Sequence, residues 1–197
     1  MFKELTYYYG AMGCGKSREL LKTLHSKIED GFSCAIVKPY IDKKGGNFVV
    51  SRDNEKVKVN FLVKPKDNIY LEISKYLVNK PLDFLLVDEA QFLSKEHIDQ
   101  LTDIVDILNV TVICYGLKTD FKGELFEGAK RLLEVSDNIR ELERQCSCGR
   151  KKIYNMRLRD DRAVFIGEQV EIDGIDAVYE PKCRYCYKKE FKKQNED

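Results

Sequence analysis

A glycine-rich segment near the amino terminus constrains the fold more than any other stretch of the chain: Gly10-Ala11-Met12-Gly13-Cys14-Gly15-Lys16-Ser17. It matches Gly-x-x-x-x-Gly-Lys-Ser, in which backbone N–H groups surround phosphate, the lysine reaches the terminal phosphates and the hydroxyl binds magnesium. An apolar run precedes it and leucines at helical spacing follow it, so a strand should enter the loop and a helix N-terminus should point at the anion. A chance glycine turn is the alternative, and the flanking strand and helix argue against it. The segment therefore predicts a nucleoside triphosphate site.

The composition suits a globular chain with one well-buried domain and a small appendage, since 43% of the 197 residues are hydrophobic. The 34 basic and 33 acidic residues nearly cancel, so no overall field attracts nucleic acid or an anionic membrane. The sequence has no long apolar span and no leader pattern, and we expect a cytoplasmic protein with no nucleic-acid partner and no membrane partner. Seven cysteines, an odd number, argue against a disulfide framework.

A second landmark is an apolar run, residues 85–87, that ends in the acidic pair Asp88 and Glu89. The run predicts a buried strand, which would place Asp88 at the carboxyl edge of a parallel sheet, where the phosphate loop also lies. A carboxylate at that edge can hold magnesium, directly or through water. Glu89 points differently and can accept a proton from an attacking hydroxyl. A strand that simply ends in solvated acids is the alternative, and the phosphate loop upstream favours the magnesium site.

The remaining pattern along the first part of the chain is that of alternating strands and helices. We expect strands at 2–9, 34–37 and 111–115, helices at 16–30, 68–79 and from Ser94, and a loop or hairpin at 42–60. Residues 116–126 mix aromatic and polar side chains at the carboxyl end of a strand, where they can form one wall of a small-molecule pocket. Phe121 and Phe126 are equally well explained as ordinary core residues.

Beyond Glu143 the composition changes, and two close pairs of cysteines appear: Cys146 with Cys148, and Cys183 with Cys186. Four thiolates in a reducing compartment suit a tetrahedral zinc ion with no open position, which would staple a small loop-rich subdomain. A single residue separates the first pair, fewer than the usual two, and unrelated free thiols are the alternative. Between the pairs we expect a hairpin over 153–166 and then a loop over 170–179, and the charged tail from Lys188 should fray.

The order of these parts resembles the type II, or cytosolic, thymidine kinases over nearly the whole chain. The likeness is strongest to the enterobacterial branch, which also has Cys-Tyr-Gly-Leu-x-Thr-Asp-Phe-x-Gly-Glu-Leu-Phe, residues 114–126 here, and Cys-x-Cys-Gly-Arg-Lys, residues 146–151 here. The resemblance implies an α/β fold, with a RecA-like P-loop domain over residues 1–143 in which helices flank a parallel sheet. A zinc-ribbon and lasso subdomain would follow at 144–190, and a charged tail at 191–197. The short first cysteine pair would be this branch's own version of the zinc site.

The resemblance also implies an activity, the transfer of the γ-phosphate of ATP to the 5′-hydroxyl of thymidine or deoxyuridine, giving dTMP and ADP in pyrimidine salvage. Magnesium would accompany ATP, zinc would be structural, dTTP would inhibit by feedback, and the chain would assemble as a homotetramer.

The same resemblance assigns roles to residues. ATP would bind Gly10, Ala11, Met12, Gly13, Cys14, Gly15, Lys16, Ser17, Asp88, Glu89, Ala90 and Gln91. Ser17 and Asp88 would hold magnesium, and Glu89 would be the catalytic base. The nucleoside would contact Met12, Phe92, Leu117, Phe121 and Phe126, and the lasso residues Val170, Glu171, Ile172, Asp173, Gly174 and Tyr179.

Two other functions stay open at this point. Residues 88–91 also resemble helicase motifs and zinc ribbons often touch DNA or RNA, which suits an ATPase acting on nucleic acid. The near-neutral charge and the lack of room for a second motor domain count against it. The other is a retargeted or inactive relative, because the lasso reads Ile172-Asp173-Gly174 where the family usually has Ile-Gly-Gly.

Overall fold

The centre of the fold is a sheet of six parallel strands, seen in a computed structural model that describes residues 3–42, 45–170 and 178–195. The elements along the chain are β1 (Leu5–Tyr9), α1 (Lys16–Glu29), β2 (Cys34–Pro39), β3 (Phe48–Val50), β4 (Lys56–Lys58), β5 (Phe61–Val63), α2 (Ile69–Asn79), β6 (Phe84–Val87), α3 (Lys95–Asp106), β7 (Thr111–Gly116), α4 (Glu127–Val135), β8 (Asn138–Glu141), β9 (Tyr154–Arg159), β10 (Arg162–Val164), β11 (Val178–Lys182) and α5 (Arg184–Asn195). The main sheet has the order β5-β2-β6-β7-β1-β8. The predicted α/β class, a parallel sheet flanked by helices, is confirmed.

The middle strands are apolar because both faces of the sheet are covered. Successive residues of β6 point to opposite layers: Leu86 packs in one core with Leu20 and Leu24 of α1, whereas Leu85 and Val87 pack in the other core, which also contains residues of α2, α3 and α4. This alternation fixes the pairing register, since a slip by one residue would exchange the two faces. The carboxyl ends of β1, β6 and β7 consequently meet at one edge, where the site lies.

The elements differ from the expected ones mainly in their bounds. β1 begins at Leu5, three residues later than the start expected at residue 2. The region 42–60 does contain a hairpin, because β3 and β4 pair antiparallel. None of the described helices combines the length and the apolar character that crossing a membrane requires.

A second sheet of three strands, in the order β10-β9-β11, and helix α5 form the carboxyl-terminal part. The predicted hairpin is β9–β10. The prediction that the tail frays from Lys188 is wrong for the residues that the structure describes, because α5 continues to Asn195. Tyr187 stacks on Tyr154 with ring centroids 4.3 Å apart, and Phe191 packs edge to face against Phe165 at 4.9 Å. These contacts hold one side of the helix against the neighbouring aromatic residues, with Tyr187 buried and Phe191 half-exposed, and the many charged residues of the segment gave no sign of them.

Candidate active site

A cleft of about 870 Å³ opens at the carboxyl ends of β1, β6 and β7. The residues predicted from the sequence that line it are Met12, Gly13, Cys14, Gly15, Lys16, Ser17, Glu89, Gln91, Phe92 and Leu117. The phosphate loop and the acidic segment, about 70 residues apart in the sequence, therefore face one another across a single cavity. Its volume lies in the range of small-molecule sites.

The phosphate loop has the backbone expected of an anion cradle. Gly13 and Gly15 have φ of +71° and +97°, in the left-handed region that favours glycine. α1 begins at Lys16, so the first N–H groups of the helix open toward the cleft. Lys16 is only 7% exposed, and its Nζ donates to the carbonyl of Ala11 at 3.4 Å. The ammonium is thus held inside the loop, where it can meet a terminal phosphate.

Asp88 lies immediately beyond β6 and is 4% exposed. Burial, together with the negative charges of Glu89 and Asp42, raises the pKa of this carboxyl to about 7. Its Oδ1 atom has no hydrogen-bond partner among the described residues. Buried carboxylate oxygens normally have a hydrogen-bond partner, so an oxygen without one is suited to binding a cation. Mg²⁺ prefers oxygen ligands and is a suitable cation here.

Glu89 is held in a conformation that few non-glycine residues adopt, with φ of +48°. The side-chain amide of Gln91 donates to its carboxylate at 2.6 Å, and the carbonyl oxygen of the same amide accepts from the N–H of Leu117 at 2.9 Å. Gln91 is itself buried. It therefore connects Glu89 to the end of β7 and orients the carboxylate in the cleft. A left-handed non-glycine residue fixed in this way is typical of functional sites.

The five side chains predicted to surround a nucleoside separate into two groups. Met12, Phe92 and Leu117 line the cleft. Phe121 is 1% exposed beneath the guanidinium of Arg157, 3.7 Å from the ring centroid, and Phe126 packs edge to face behind Phe92 at 5.6 Å. In the part of the chain that the structure describes, neither of these last two rings lines the cleft: Phe126 supports Phe92 from behind, whereas Phe121 packs against Arg157.

The segment that the sequence predicted to form the lasso is described only at its two ends. Glu171, Ile172, Asp173 and Gly174 lie outside the described residues, whereas Val170 packs against the main core. Arg157, fully buried in β9, donates from Nε to the hydroxyl of Tyr179 at 2.9 Å and from Nη2 to the carbonyl of Glu168 at 3.1 Å. One guanidinium therefore fixes both ends of this segment.

The four cysteines of the two pairs, Cys146, Cys148, Cys183 and Cys186, have their sulfur atoms within 4.8 Å of one another. The prediction of a common centre, made despite the short first pair, is confirmed, and free unrelated thiols are excluded. N–H groups of Cys148 and Cys183 lower the pKa of the Cys146 thiol to about 6, while the neighbouring sulfurs raise that of Cys186 to about 12. Four thiolates this close repel one another unless a cation lies between them, so the residues fit a metal ion.

Two further contacts join the cysteine-bearing part to the phosphate loop, and sequence reasoning missed both. Asn155 of β9 accepts from the N–H of Met12 at 2.7 Å and donates to the carbonyl of Thr119 at 3.1 Å. Arg144, two residues before the first cysteine, donates to the carbonyl of Gly13. Neither residue belongs to a local motif, and the only signal in the sequence is an ordinary polar side chain.

Known proteins resemble this chain over nearly its whole length. The family model "Thymidine kinase" matches residues 3–187. The chain is 40% identical to a thymidine kinase of Haemophilus influenzae (strain 86-028NP) over 189 residues, covering 94% of this chain and 96% of that protein. It is 40% identical to one of Pasteurella multocida over 190 residues (95% and 98%) and 42% identical to one of Vibrio parahaemolyticus over 188 residues (94% and 96%).

These relatives are proteobacterial, in rough agreement with the branch that the sequence motifs suggested. The matched residues include the phosphate loop, the acidic pair and all four clustered cysteines. The chain belongs to the thymidine kinase family.

Proposed function

We propose that this kinase transfers the γ-phosphate of ATP to the 5′-hydroxyl of thymidine, or of deoxyuridine, and releases dTMP and ADP. The observation that carries the proposal is that the phosphate loop and the carboxylate of Glu89 line one cleft, and that the residue before Glu89, Asp88, has a buried oxygen without a partner among the described residues. The names of the relatives support thymidine as the acceptor.

ATP binds with its phosphates in the loop of residues 10–17, next to the acidic segment of residues 88–91. Ser17 and Asp88 would hold magnesium, which neutralises charge on the phosphates when it is bound. Lys16, buried in the loop, adds a second positive charge at the terminal phosphates.

The chemical step needs a base, and Glu89 is the candidate. Its carboxylate, oriented by Gln91, takes the proton of the 5′-hydroxyl as the 5′-oxygen forms a bond to the γ-phosphorus. The bond between that phosphorus and the oxygen shared with the β-phosphate breaks, and the electron pair leaves on ADP. The proton passes from Glu89 to solvent after release.

The nucleoside lies between the cleft wall and the lasso. Met12, Phe92 and Leu117 supply apolar contacts to the base, and Phe126 supports Phe92 from behind. Phe121 acts indirectly, through its contact with Arg157. Val170, Glu171, Ile172, Asp173 and Gly174 close over the thymine edge, and Tyr179 helps to fix the segment through Arg157. The closed segment keeps water from the γ-phosphate and so limits wasteful hydrolysis.

A structural zinc ion held by Cys146, Cys148, Cys183 and Cys186 completes the proposal. Four sulfur ligands with no open position are typical of structural zinc, and β11 and α5 meet at this centre. Its function is to fix the end of the lasso.

The direct test is to assay thymidine, deoxyuridine and deoxycytidine side by side with Mg-ATP. We expect thymidine to be phosphorylated, deoxyuridine more slowly and deoxycytidine at background. Preference for deoxycytidine would identify a retargeted enzyme. ATP hydrolysis that depends on added DNA or RNA, with no nucleoside product, would instead favour an ATPase acting on nucleic acid.

We also propose a homotetramer that is inhibited by dTTP and works in the cytoplasm, where ATP is supplied. Exposed apolar side chains on several elements, such as Ile28, Val78 and Ile107, are suited to subunit contacts. Light scattering should give about four times the chain mass. Inhibition by dTTP should compete with thymidine, since both carry the same base.

The contribution of Asp88 to the stability of the unliganded protein should fall as the pH rises from about 4 to about 7, because the pKa of Asp88 is raised in the fold from 3.8 to about 7. In that window the unfolded chain releases a proton that the folded chain keeps. Asp88→Asn has no such proton, so its free energy of unfolding should exceed that of the wild type at about pH 8 and nearly equal it at about pH 4. Urea unfolding at both values measures the difference.

A matched control is Asp83→Asn, which should act in the opposite direction. The N–H and hydroxyl of Ser33 both donate to the Asp83 carboxylate and lower its pKa. This variant should therefore be less stable than the wild type at about pH 8. A stability difference between wild type and Asp88→Asn that does not change with pH would contradict the raised pKa.

A further inference from the structure

Two arginines meet the phosphate loop at the same residue, Gly13. Arg144 donates from Nη1 to its carbonyl oxygen, and a Cβ atom placed on Gly13 would collide with the guanidinium of Arg52. Both arginines line the cleft that contains Lys16 and Glu89. The backbone groups of such a loop surround bound phosphates. An arginine whose guanidinium touches the loop is therefore close enough to reach those phosphates.

The two arginines come from different parts of the fold, and each is anchored. Arg52 lies in the turn of the β3–β4 hairpin, which is fixed by fully buried Val49 in the core next to α1. Arg144 follows β8, and its carbonyl accepts from the N–H of Lys152 at 2.8 Å, in the paired backbone beside the cysteine centre. The two guanidinium groups are therefore presented to the loop from separate, structured supports.

The charges around these groups favour an anion. Arg18, the next cation along the cleft, pairs with Asp53 at 3.5 Å. Within the described ranges neither Arg52 nor Arg144 has a carboxylate within ion-pair distance. Each guanidinium offers five N–H donors in a planar fork that matches phosphate, and most of these donors have no partner among the residues that the structure describes. Two uncompensated cations beside a phosphate loop raise the local affinity for negative charge.

We propose that Arg52 and Arg144 contact the terminal phosphates of ATP and stabilise the negative charge that develops during transfer, as arginine fingers supplied by the chain itself. The inference rests on the proposed function. No proton moves to or from either guanidinium. The γ-phosphoryl group passes from ATP to the acceptor oxygen, ADP leaves with the electron pair of the broken bond, and the acceptor's proton goes to Glu89. The arginines donate hydrogen bonds throughout. Such residues contribute about 10³-fold or more to turnover in related chemistry.

A simpler role for the two arginines would be to hold the phosphate loop in shape. Substitution of both arginines by lysine distinguishes this role from contact with the phosphates. A single ammonium can replace the one hydrogen bond to the Gly13 carbonyl, but it cannot reproduce a two-pronged contact with phosphate. With lysine at both positions, ADP binding and folding should therefore match those of the wild type, whereas turnover should be restored only in part.

The experiment compares Arg52→Gln, Arg144→Gln and the double variant with Arg140→Gln, an exposed arginine of β8 that loses the same charge outside the cleft. We expect the double variant to lower kcat about 10³-fold while the Kd for ADP changes by less than about threefold, and the control to match the wild type. A double variant with unchanged kcat overturns the proposal. Full rescue of kcat by lysine, or a loss of ADP binding as large as the loss of kcat, overturns it too.

A second measurement does not depend on the nucleoside. Fluoroaluminate bound next to ADP imitates the phosphoryl group during transfer. ADP with fluoroaluminate should therefore bind the wild type more tightly than ADP alone, because the arginines donate hydrogen bonds to the negatively charged fluoroaluminate. The double variant should lose this gain, and retention of the gain counts against the arginines. If the wild type phosphorylates none of the three nucleosides, the proposed function fails, and the fluoroaluminate comparison still decides the role of Arg52 and Arg144.

Discussion

Glu89→Gln should lower kcat for nucleoside phosphorylation by about 10²- to 10⁴-fold, the usual contribution of a positioned general base. The substitution keeps the shape of the side chain, and the new amide oxygen can still accept from Gln91. What is lost is the capacity to take the 5′-hydroxyl proton. The phosphate loop is untouched, so the Kd for ATP should stay close to that of the wild type, and steady-state kinetics with equilibrium ATP binding measures both quantities.

The matched control for this substitution is Glu72→Gln, on the exposed surface of α2, where Glu72 pairs with Lys75. It should retain wild-type turnover, since exposed ion pairs of this kind contribute little. If Glu89→Gln turned over at the wild-type rate, Glu89 would not be the base. If it lost ATP binding as well, its role would be in holding the cleft together.

The residues of the site could be predicted where they lie together in short sequence motifs. The phosphate loop is eight consecutive residues, and the acids directly follow a buried strand, so their positions at one edge follow from the parallel sheet alone. The cysteine pairs are equally local. A single tetrahedral centre requires only that the two pairs meet, which the presence of two close cysteine pairs already favours even though the first pair is one residue shorter than usual.

The contacts that the sequence did not reveal depend on distant parts of the chain. Arg157 fixes both ends of the lasso, and Arg52 and Arg144 reach the phosphate loop from separate elements, yet each looks like a solvated surface cation in the sequence. For Phe121, the sequence pattern alone could not distinguish a residue that lines the cleft from a buried residue outside it. The helical tail had a weak signal, since Tyr187 and Phe191 are four residues apart and share one helix face.

The cysteine centre lies close in sequence to residues that contact two parts of the proposed active site, the phosphate loop and the end of the lasso. Arg144 precedes its first ligand by two residues, and Tyr179 precedes Cys183 by four. The centre thus holds one residue that contacts the phosphate loop and the strand that ends the lasso. Loss of the metal should consequently affect nucleoside phosphorylation far more than it affects the main sheet.

Cys183→Ser should remove the metal and abolish phosphorylation of thymidine, while ADP still binds. Structural zinc sites contribute roughly 10–16 kcal/mol of apparent binding free energy, so a subdomain with one three-stranded sheet and one helix should not stay folded without it. Metal analysis should show the ion lost, and limited proteolysis should cut between about residue 144 and the carboxyl terminus, leaving the main sheet intact.

Cys34→Ser, a half-buried thiol outside the centre, is the control and should keep both metal and activity. A Cys183→Ser protein that retained stoichiometric metal or normal turnover would show that the centre does not support the lasso, whereas loss of ADP binding would show that the two parts unfold together.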